Sequence, residues 1–547
     1  MDKKLSISLL MLLFSLSFKV DSKSYNDLPL LDRITIDSVT WEFKNPVPVG
    51  QFITGDYYVV GEVTVTSITP APANNRNGSV VNPPILQRSG YDDRVDGDRF
   101  KEDLRSYPPI QLIPGDQLLS SVSVTDDEHK NLHRWLRERT SDRTVSPVYS
   151  ISILTCLEKP VSEDAFRPSY GDPEKKIYYG SDINRKLLPK LEAVASLRDI
   201  DEFAEHFRRP WVDICQFSFD APIGYMPDYG REIARAVGMA SLMLMVEDYP
   251  EESREKLMTG LIQYGIDLWG MVKGGRSGWS AHGGHGSGRK WSIMFAGIML
   301  GDEQMASPTV ANPELKFGED MQTAYDDCWT GADVVYTGHQ GLWNGEPVSS
   351  TPSWGPYEHL HPTVWYSTFD GHHQWNIGEN YRRCCTSIAW VGQALAARLM
   401  GAVDLWSHDP FFDYVDRWMF EDDSEQMKAF GEAGLNYSAN WQRQGQAWDT
   451  FVNQMWEMYR KKADEINTIP KSGKTRESSY RCRQSGLMLS GNAIFMDGLK
   501  SVLEKHSHIN IYSINGKSVG SIKTESFSKD IGTLFHVVNG VYLWRVR

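Results

Sequence analysis

A glycine-rich stretch with two histidines and two cations, residues 282–290, holds residue types suited to acid–base chemistry. Its letters are HGGHGSGRK, and the apolar run 291–300 follows directly. Glycine lets the backbone take conformations closed to other residues and approach a ligand closely. The apolar run predicts a buried helix, whose N-terminus would favour an anion. We therefore expect an anion site beside an imidazole, built from His282, His285, Arg289 and Lys290.

A second region, residues 357–383, is rich in the same residue types. Its candidate site residues are Tyr357, His359, His372, His373, Trp375, Asn376, Tyr381, Arg382 and Arg383. Six of the 14 histidines of the chain lie in these two regions. Because loops on a rigid scaffold commonly carry function, this clustering favours a site over scattered packing or surface histidines.

β-Elimination of a uronate sugar uses this set of residues. The proton α to the sugar carboxylate becomes acidic only when a donor such as Asn, His or Arg neutralises the carboxylate. A Tyr or His then acts as base, and a Tyr can protonate the leaving glycosidic oxygen. A tyrosine base near neutral pH needs a lowered pKa, which a neighbouring arginine would provide. Arginine also binds carboxylate or sulfate through two hydrogen bonds.

Two other kinds of site compete with this interpretation. A glycoside hydrolase needs two opposed carboxylates, for which the candidates are Asp228, Glu358, Asp370 and Glu379. A metal site could use the histidine pairs 282/285, 359/361 or 372/373, but no HExxH or carboxylate-rich motif supports it. We therefore expect no metal ligands and no cofactor, with a structural divalent cation left open.

A third patch, residues 166–176, combines Pro, Gly and Tyr with cations, and includes Arg167. It predicts either an ordered loop near the substrate groove or a solvated linker between domains. A non-catalytic glycan-binding protein is a further alternative, since the 18 tryptophans could form sugar platforms.

Composition limits the class of partner. The net charge of -14 argues against a nucleic-acid binder, but local cationic patches could still bind an acidic substrate. The six cysteines are too few to be a disulfide framework. The adjacent Cys384 and Cys385 are interpreted as packing residues rather than a bridged pair.

The order of segments predicts a multidomain protein. Residues 1–22 have a charged start and a short apolar core, which indicates a signal peptide and an exported protein without a membrane span. Strand-like runs with turn residues predict a β-sandwich over 23–125. Residues 126–505 are mainly helical. Three helices are apolar on nearly every face, and amphipathic helices such as 448–461 accompany them. This combination predicts an α/α toroid, in which the polar ends of the inner helices face one opening of the toroid. The alternative is an irregular helical domain. The apolar helices are 233–246, 291–300 and 388–400.

The tail, residues 506–547, predicts a small β module. Alternation around Asn515-Gly516 is typical of a hairpin. The tail resembles the C-terminal sorting domain of the type IX secretion system of Bacteroidetes, with IYSINGK and a closing GVYLWRV, although the usual Pro-Asn-Pro start is absent. This resemblance implies the type IX secretion machinery as a partner and a secreted or cell-surface location.

The helical region resembles exported polysaccharide lyases with an α/α toroid, the group that includes alginate, heparin and ulvan lyases. It is most similar to the ulvan lyases of marine Bacteroidetes, chiefly at residues 284–290 and 381–386. The resemblance implies endolytic cleavage of a sulfated uronate polymer to unsaturated uronyl ends, with alginate, glucuronan or glycosaminoglycan as alternative substrates. The chain departs from many toroid lyases in one respect: its β-domain precedes the helices, whereas theirs follows them.

The resemblance also implies roles for individual residues. By this resemblance, Asn376 or His285 would neutralise the substrate carboxylate, and Tyr381 or Tyr357 would be the catalytic tyrosine. Arg382 or Arg383 would support them. Independently of the resemblance, we expect substrate to be bound by a further set of residues: His282, Arg289, Lys290, His359, His372, His373, Trp375, Arg167 and Arg383.

Overall fold

The computed structural model describes most of residues 27–469 and three strands near the C-terminus. It leaves out 86–87, 95–98, 132–134, 137–146, 215–225, 228, 351–353, 370–377, 436–441 and 467–468. The chain divides into two compact units, residues 1–470 and 471–547. The predicted signal peptide lies outside the described residues, as do Asp228, Asp370, His372, His373, Trp375 and Asn376.

The N-terminal part of the first unit is one eight-stranded sheet that curls into a half-barrel. Its strands are β1 Leu30–Ile36, β2 Val39–Gln51, β3 Tyr57–Val60, β4 Val63–Thr69, β5 Ser79–Val81, β6 Ile110–Leu112, β7 Gln117–Ser123 and β8 Val148–Leu157. The order is β5-β7-β8-β3-β2-β4-β6, and β1 also pairs with β2. Strands β3 and β8 run parallel, whereas the other neighbours are antiparallel.

The predicted β-sandwich is therefore wrong, because one curled sheet replaces two stacked sheets. Successive strand residues face opposite sides, so Leu118 and Leu154 join the sheet's own core, whereas Leu119 and Ile153 join the core of the helices. Strand β8 is buried on both faces from Ser150 to Leu157, although Ser150, Ser152 and Thr155 interrupt its apolar residues. Since β8 ends at Leu157, the predicted division at 125/126 falls within this sheet.

The rest of the first unit is helical. The longer described helices are α1 Ile200–Arg208, α2 Gly230–Met245, α3 Glu251–Lys273, α4 Arg289–Leu300, α5 Ser387–Met400, α6 Asp409–Phe420, α7 Ser424–Glu432 and α8 Thr450–Tyr459. Helices α2 and α5 pack against each other, and α6 and α8 pack on α5. A Cβ on Gly238 of α2 would lie 2.8 Å from the backbone nitrogen of Gln393 in α5, so these two backbones approach closely.

Shorter elements connect these helices. The short helices are Asp126–Asn131, Glu303–Ala306, Pro308–Ala311, Gly318–Met321, Trp365–Thr368, Glu379–Tyr381, Val403–Trp406 and Ala463–Ile466. The short strands are Gly278–Trp279, Lys316–Phe317, Thr323–Tyr325, Val334–Tyr336, Leu342–Trp343 and Glu346–Pro347. Between α4 and α5 the described chain therefore consists of short strands and single helical turns.

The predicted α/α toroid is wrong for this reason: a toroid repeats helical hairpins, and the segment between α4 and α5 supplies none within the described residues. The burial predicted for the three apolar helices is confirmed, since α2, α4 and α5 are buried almost throughout. No helix among the described residues combines the length and apolar character needed to cross a membrane.

A disulfide joins Cys384 to Cys385, so the interpretation of this pair as unbridged packing residues is wrong. Both residues lie in a π-helical segment, Arg382–Thr386, directly before α5. Single-turn π segments within helices occur frequently at functional sites.

The second unit is described only at three strands, which form an antiparallel sheet. His508–Ser513 lies in the middle, between Ser518–Lys523 and Tyr542–Val546. The residues of the predicted Asn-Gly turn lie outside the described strands.

Candidate functional site

The glycine-rich stretch forms a tight loop that lies against the N-terminal ends of two helices. Gly283 and Gly284 have φ of 67° and 104°, in the left-handed region that favours glycine. A Cβ on Gly284 would lie 2.7 Å from the carbonyl oxygen of Cys385, and one on Gly230 would lie 1.9 Å from the carbonyl oxygen of Gly284. The loop therefore fits between the start of α2 and the segment that leads into α5.

Around this loop five side chains form what we term the imidazole–tyrosine cluster: Tyr229, His282, His285, His339 and Tyr381. Ring centroids are 4.4 Å apart for Tyr229 and His285, and 5.6 Å apart for His282 and His285. They are 5.2 Å apart for His282 and His339, and 4.4 Å for His339 and Tyr381. Each ring thus lies beside the next in the order Tyr229, His285, His282, His339, Tyr381.

Hydrogen bonds tie the loop to its surroundings. The Gly283 N–H donates to the carbonyl oxygen of His339 at 2.9 Å, and the hydroxyl of Tyr229 donates to the carbonyl oxygen of Gly283. The side-chain amide of Gln340 lies 2.8 Å from His282 Nδ1. Both the backbone and one imidazole of the loop are therefore held by the 339–340 segment.

Burial controls the proton affinity of the cluster. Tyr229, His282, His285 and Tyr381 are partly exposed, whereas His339 is only 7% exposed. Desolvation lowers the pKa of His339 to about 4, and the nearby His282 adds to this effect. Desolvation also lowers the pKa of His282 and raises the pKa of Tyr381 and of Tyr229. At neutral pH the cluster therefore holds a neutral His339 and protonated phenols.

The expectation of a tyrosine base with a pKa lowered by arginine is wrong for Tyr381. Burial raises the pKa of Tyr381, and both arginines that follow it point into the protein. Tyr381 is accordingly suited to donate a proton rather than to accept one.

The residues predicted to act with Tyr381 form a separate, buried ion network. Arg382 lies 3.5 Å from Glu358 and 3.2 Å from Glu379, and Arg383 lies 2.5 Å from Glu379. Tyr357 is fully buried, and its hydroxyl donates to Glu379 at 2.5 Å. Because Arg382, Arg383 and Tyr357 are already hydrogen-bonded or paired to carboxylates of the protein, their geometry does not support a contact with substrate.

Three further cations predicted to bind substrate are also buried in ion pairs. Arg289, Lys290 and Arg167 are each fully buried. Arg289 lies 2.7 Å from Asp213, and Lys290 pairs with Asp320. The carboxylates beside Arg167 are Asp56 at 2.8 Å and Asp267 at 2.5 Å. These cations neutralise internal carboxylates, and we place none of them in the candidate site.

The other predicted residues divide between the surface and the parts left out. His359 is exposed on the surface. Glu358 and Glu379, two of the four candidate carboxylates for a hydrolase, are held by buried arginines. Within the described ranges no three His, Cys, Asp or Glu side chains are grouped as metal ligands.

Sequence reasoning missed His339, Tyr229, Gln340 and Trp354 as members or neighbours of the site. The Trp354 ring is partly exposed and lies 5.0 Å from that of His339. His339 and Gln340 stand between Gly338 and Gly341, outside both histidine-rich regions. A histidine bracketed by glycines after the apolar run 334–336 was the available signal, but nothing in the sequence connected it to residue 282.

Comparison with known proteins adds no family to this description. No protein-family model, no curated protein and no solved structure matches the chain.

Proposed function

We propose that this protein is a lyase that cleaves a uronate-containing polysaccharide by β-elimination and leaves an unsaturated uronyl end. The observation that carries the proposal is the imidazole–tyrosine cluster, in which protonated phenols and imidazoles lie ring to ring and partly open to solvent. Removal of an α proton and protonation of a leaving oxygen need one base and one acid in the same site.

In the proposed reaction His285 is the base and Tyr381 the acid. His285 takes the proton from the carbon α to the sugar carboxylate. The electron pair left behind forms a carbon–carbon double bond as the glycosidic C–O bond at the β carbon breaks. The leaving oxygen takes the phenolic proton of Tyr381, and solvent returns a proton from His285 to Tyr381. Burial, which keeps Tyr381 protonated, supports its assignment as the acid.

Elimination is favoured over glycoside hydrolysis by what surrounds the cluster. A hydrolase needs two opposed carboxylates, one of them able to give up a proton. Among the described candidates, Glu358 is bound by Arg417 at 2.9 Å, and Glu379 is bound by Arg382 and Arg383. Both described candidate carboxylates thus pair with buried arginines, whereas the cluster members Tyr229, His282, His285 and Tyr381 are partly exposed.

A sulfated, ulvan-like polymer is the proposed substrate, cut internally. Export by a signal peptide and a type IX sorting tail is part of the same proposal, and rests on the sequence of residues 1–22 and 506–547.

The decisive experiment is incubation of the purified protein with ulvan, alginate, glucuronan and heparan sulfate, following the ultraviolet absorbance of the unsaturated uronyl product. We expect a rise with at least ulvan. The absence of a rise with all of these polymers would overturn the proposal. New reducing ends without that absorbance would instead identify a hydrolase.

A matched pair of variants places the activity in the cluster. His285→Gln is expected to remove turnover, because it deletes the proposed base. His359→Gln changes an exposed histidine outside the cluster and is expected to leave turnover as it was. Equal turnover in the two variants would exclude His285 as the base.

A further inference from the structure

We propose that Gln340 is a positioning residue that holds His282 in the tautomer protonated at Nε2, so that this ring offers an N–H to the substrate. The inference deepens the proposed function and rests on it for the identity of the substrate group, a sugar carboxylate. The contact that motivates it is independent of that function.

The contact is between two side-chain nitrogens. Gln340 Nε2 lies 2.8 Å from His282 Nδ1, a normal hydrogen-bond distance. An amide nitrogen can only donate, so Nδ1 must accept and carry no proton. In a neutral imidazole the single proton is then on Nε2. The amide of Gln340 thereby selects one of the two neutral tautomers.

Gln340 is itself held in place. Its backbone N–H donates to the carbonyl oxygen of Trp354 at 3.3 Å, and the strand Leu342–Trp343 begins two residues later. The preceding residue, His339, accepts the Gly283 N–H. One short segment therefore fixes both the backbone of the histidine loop and the side chain of His282.

The surroundings of His282 keep it neutral, which tautomer selection requires. The titratable or charged groups near its ring include His285, His339 and Arg99. Desolvation, the largest cause, lowers the pKa of His282, and Arg99 lowers it further. Burial and Arg99 therefore both favour the neutral ring, in which a single proton is placed on one of the two nitrogens.

An N–H donor is what a uronate requires at this position. The carboxylate must be neutralised by a donor before its α proton can be removed, and a ring protonated at Nε2 supplies one without a change of charge. His282 would then bind the carboxylate while His285 acts as base. The amide of Gln340 would in this way give His282 a binding role that differs from the role of His285 as base.

The test measures the tautomer directly, by long-range nitrogen–proton NMR of the full-length protein labelled with nitrogen-15. A His282→Gln spectrum assigns the resonances. Wild-type His282 is expected to show an unprotonated Nδ1 and a protonated Nε2. A protonated Nδ1 would overturn the inference without any activity measurement.

Variants of Gln340 supply the second arm. Gln340→Glu replaces the donor with a carboxylate of nearly the same shape and is expected to put a proton on Nδ1, since a carboxylate accepts from Nδ1–H and favours the protonated ring. Gln340→Leu is expected to give a mixture of tautomers. Gln304→Leu, at an exposed position of the short helix Glu303–Ala306, is the matched control and should leave His282 unchanged. Unchanged tautomers in both Gln340 variants would remove the positioning role.

Turnover then separates this inference from the proposed function. With an active lyase, Gln340→Leu should lower kcat on the uronate polymer at least twofold, because part of the His282 population then carries its proton on Nδ1. Gln340→Glu should shift the pH profile of kcat, because a carboxylate beside His282 raises the pKa of this ring. If no polymer is cleaved but the tautomer follows Gln340 as described, the proposed function fails and the positioning role stands. If the polymer is cleaved but the tautomer of His282 is unchanged in the Gln340 variants, only the positioning role is wrong.

Discussion

At the scale of single residues, burial decides what each member of the site can do. The cluster has phenols whose pKa is raised and imidazoles, His282 and His339, whose pKa is lowered, and in each case desolvation is the largest cause. Desolvation disfavours the charged form of either group. These four side chains are therefore uncharged near pH 7, and an acidic substrate would bring its own charge.

Tyr381 and Tyr357 are expected to have different roles, one in the reaction and one in stability. Tyr381→Phe is expected to lower kcat at least a hundredfold with an unchanged free energy of unfolding, because only the proton donor is lost. Tyr357→Phe removes a buried hydrogen bond to Glu379 and should cost about 1–3 kcal/mol of stability while kcat persists. Steady-state kinetics and urea unfolding of both variants measure this. The reverse pattern would place the chemistry at Tyr357.

His339 predicts a pH dependence of stability. The folded protein holds the pKa of His339 at about 4, below the usual 6.5. Between these values the unfolded chain binds a proton that the folded chain does not, so stability falls as pH falls from 6.5 to about 4. The loss is at most about 3 kcal/mol.

Urea unfolding of the wild type and of His339→Gln across that range isolates the effect. The variant should show a shallower decline in the free energy of unfolding. The same substitution at the exposed His359 controls for the loss of one histidine. Parallel curves for wild type and His339→Gln would contradict the assignment.

At the scale of elements, the glycine loop lies between the starts of two buried helices. Gly283 lies at the centre of the cluster, where a Cβ would come within 2.6 Å of the Tyr381 ring and 2.8 Å of His339 Nε2. The loop can bring its histidines to the tyrosines only because side-chain atoms are absent at this position.

Gly283→Ala is therefore expected to lower both turnover and stability. Gly301 is a matched control, since its φ of 68° is close to the 67° of Gly283, yet no atom lies within 4 Å of a Cβ placed there. Gly301→Ala should show only the backbone penalty of about 1 kcal/mol and retain turnover. Equal effects on kcat would mean that backbone conformation, rather than close approach, explains the glycine at 283.

At the scale of the whole molecule, Arg167 joins the curled sheet to the helices. Its guanidinium pairs with Asp56, in the turn before β3, and with Asp267 on α3, and all three side chains are buried. Removing a buried cation leaves carboxylates uncompensated, which typically costs 3–5 kcal/mol.

Arg167→Met should accordingly destabilise the first unit by roughly 3–5 kcal/mol in urea unfolding. The KM of the folded protein for its polymer should stay at the wild-type value, because Arg167 is remote from solvent. A higher KM with normal stability would restore Arg167 to substrate binding.

Local pattern was enough to identify several parts of this protein. The apolar runs predicted the buried helices α2, α4 and α5, and the glycine–histidine stretch indicated the loop at the centre of the candidate site. Both follow from short-range physics: an all-apolar helix must be buried, and consecutive glycines permit backbone turns that other residues resist.

Contacts distant along the chain required the folded molecule. Five cations that looked available to a substrate are instead paired with internal carboxylates: Arg167, Arg289, Lys290, Arg382 and Arg383. Some of these carboxylates are far away in the sequence, and the others are reached only because the cationic side chain points into the protein. His339 reaches His282 across 57 positions for the same reason. A sequence pattern specifies which residues are hydrophobic or ionisable, but tertiary packing determines their partners and hence their charge.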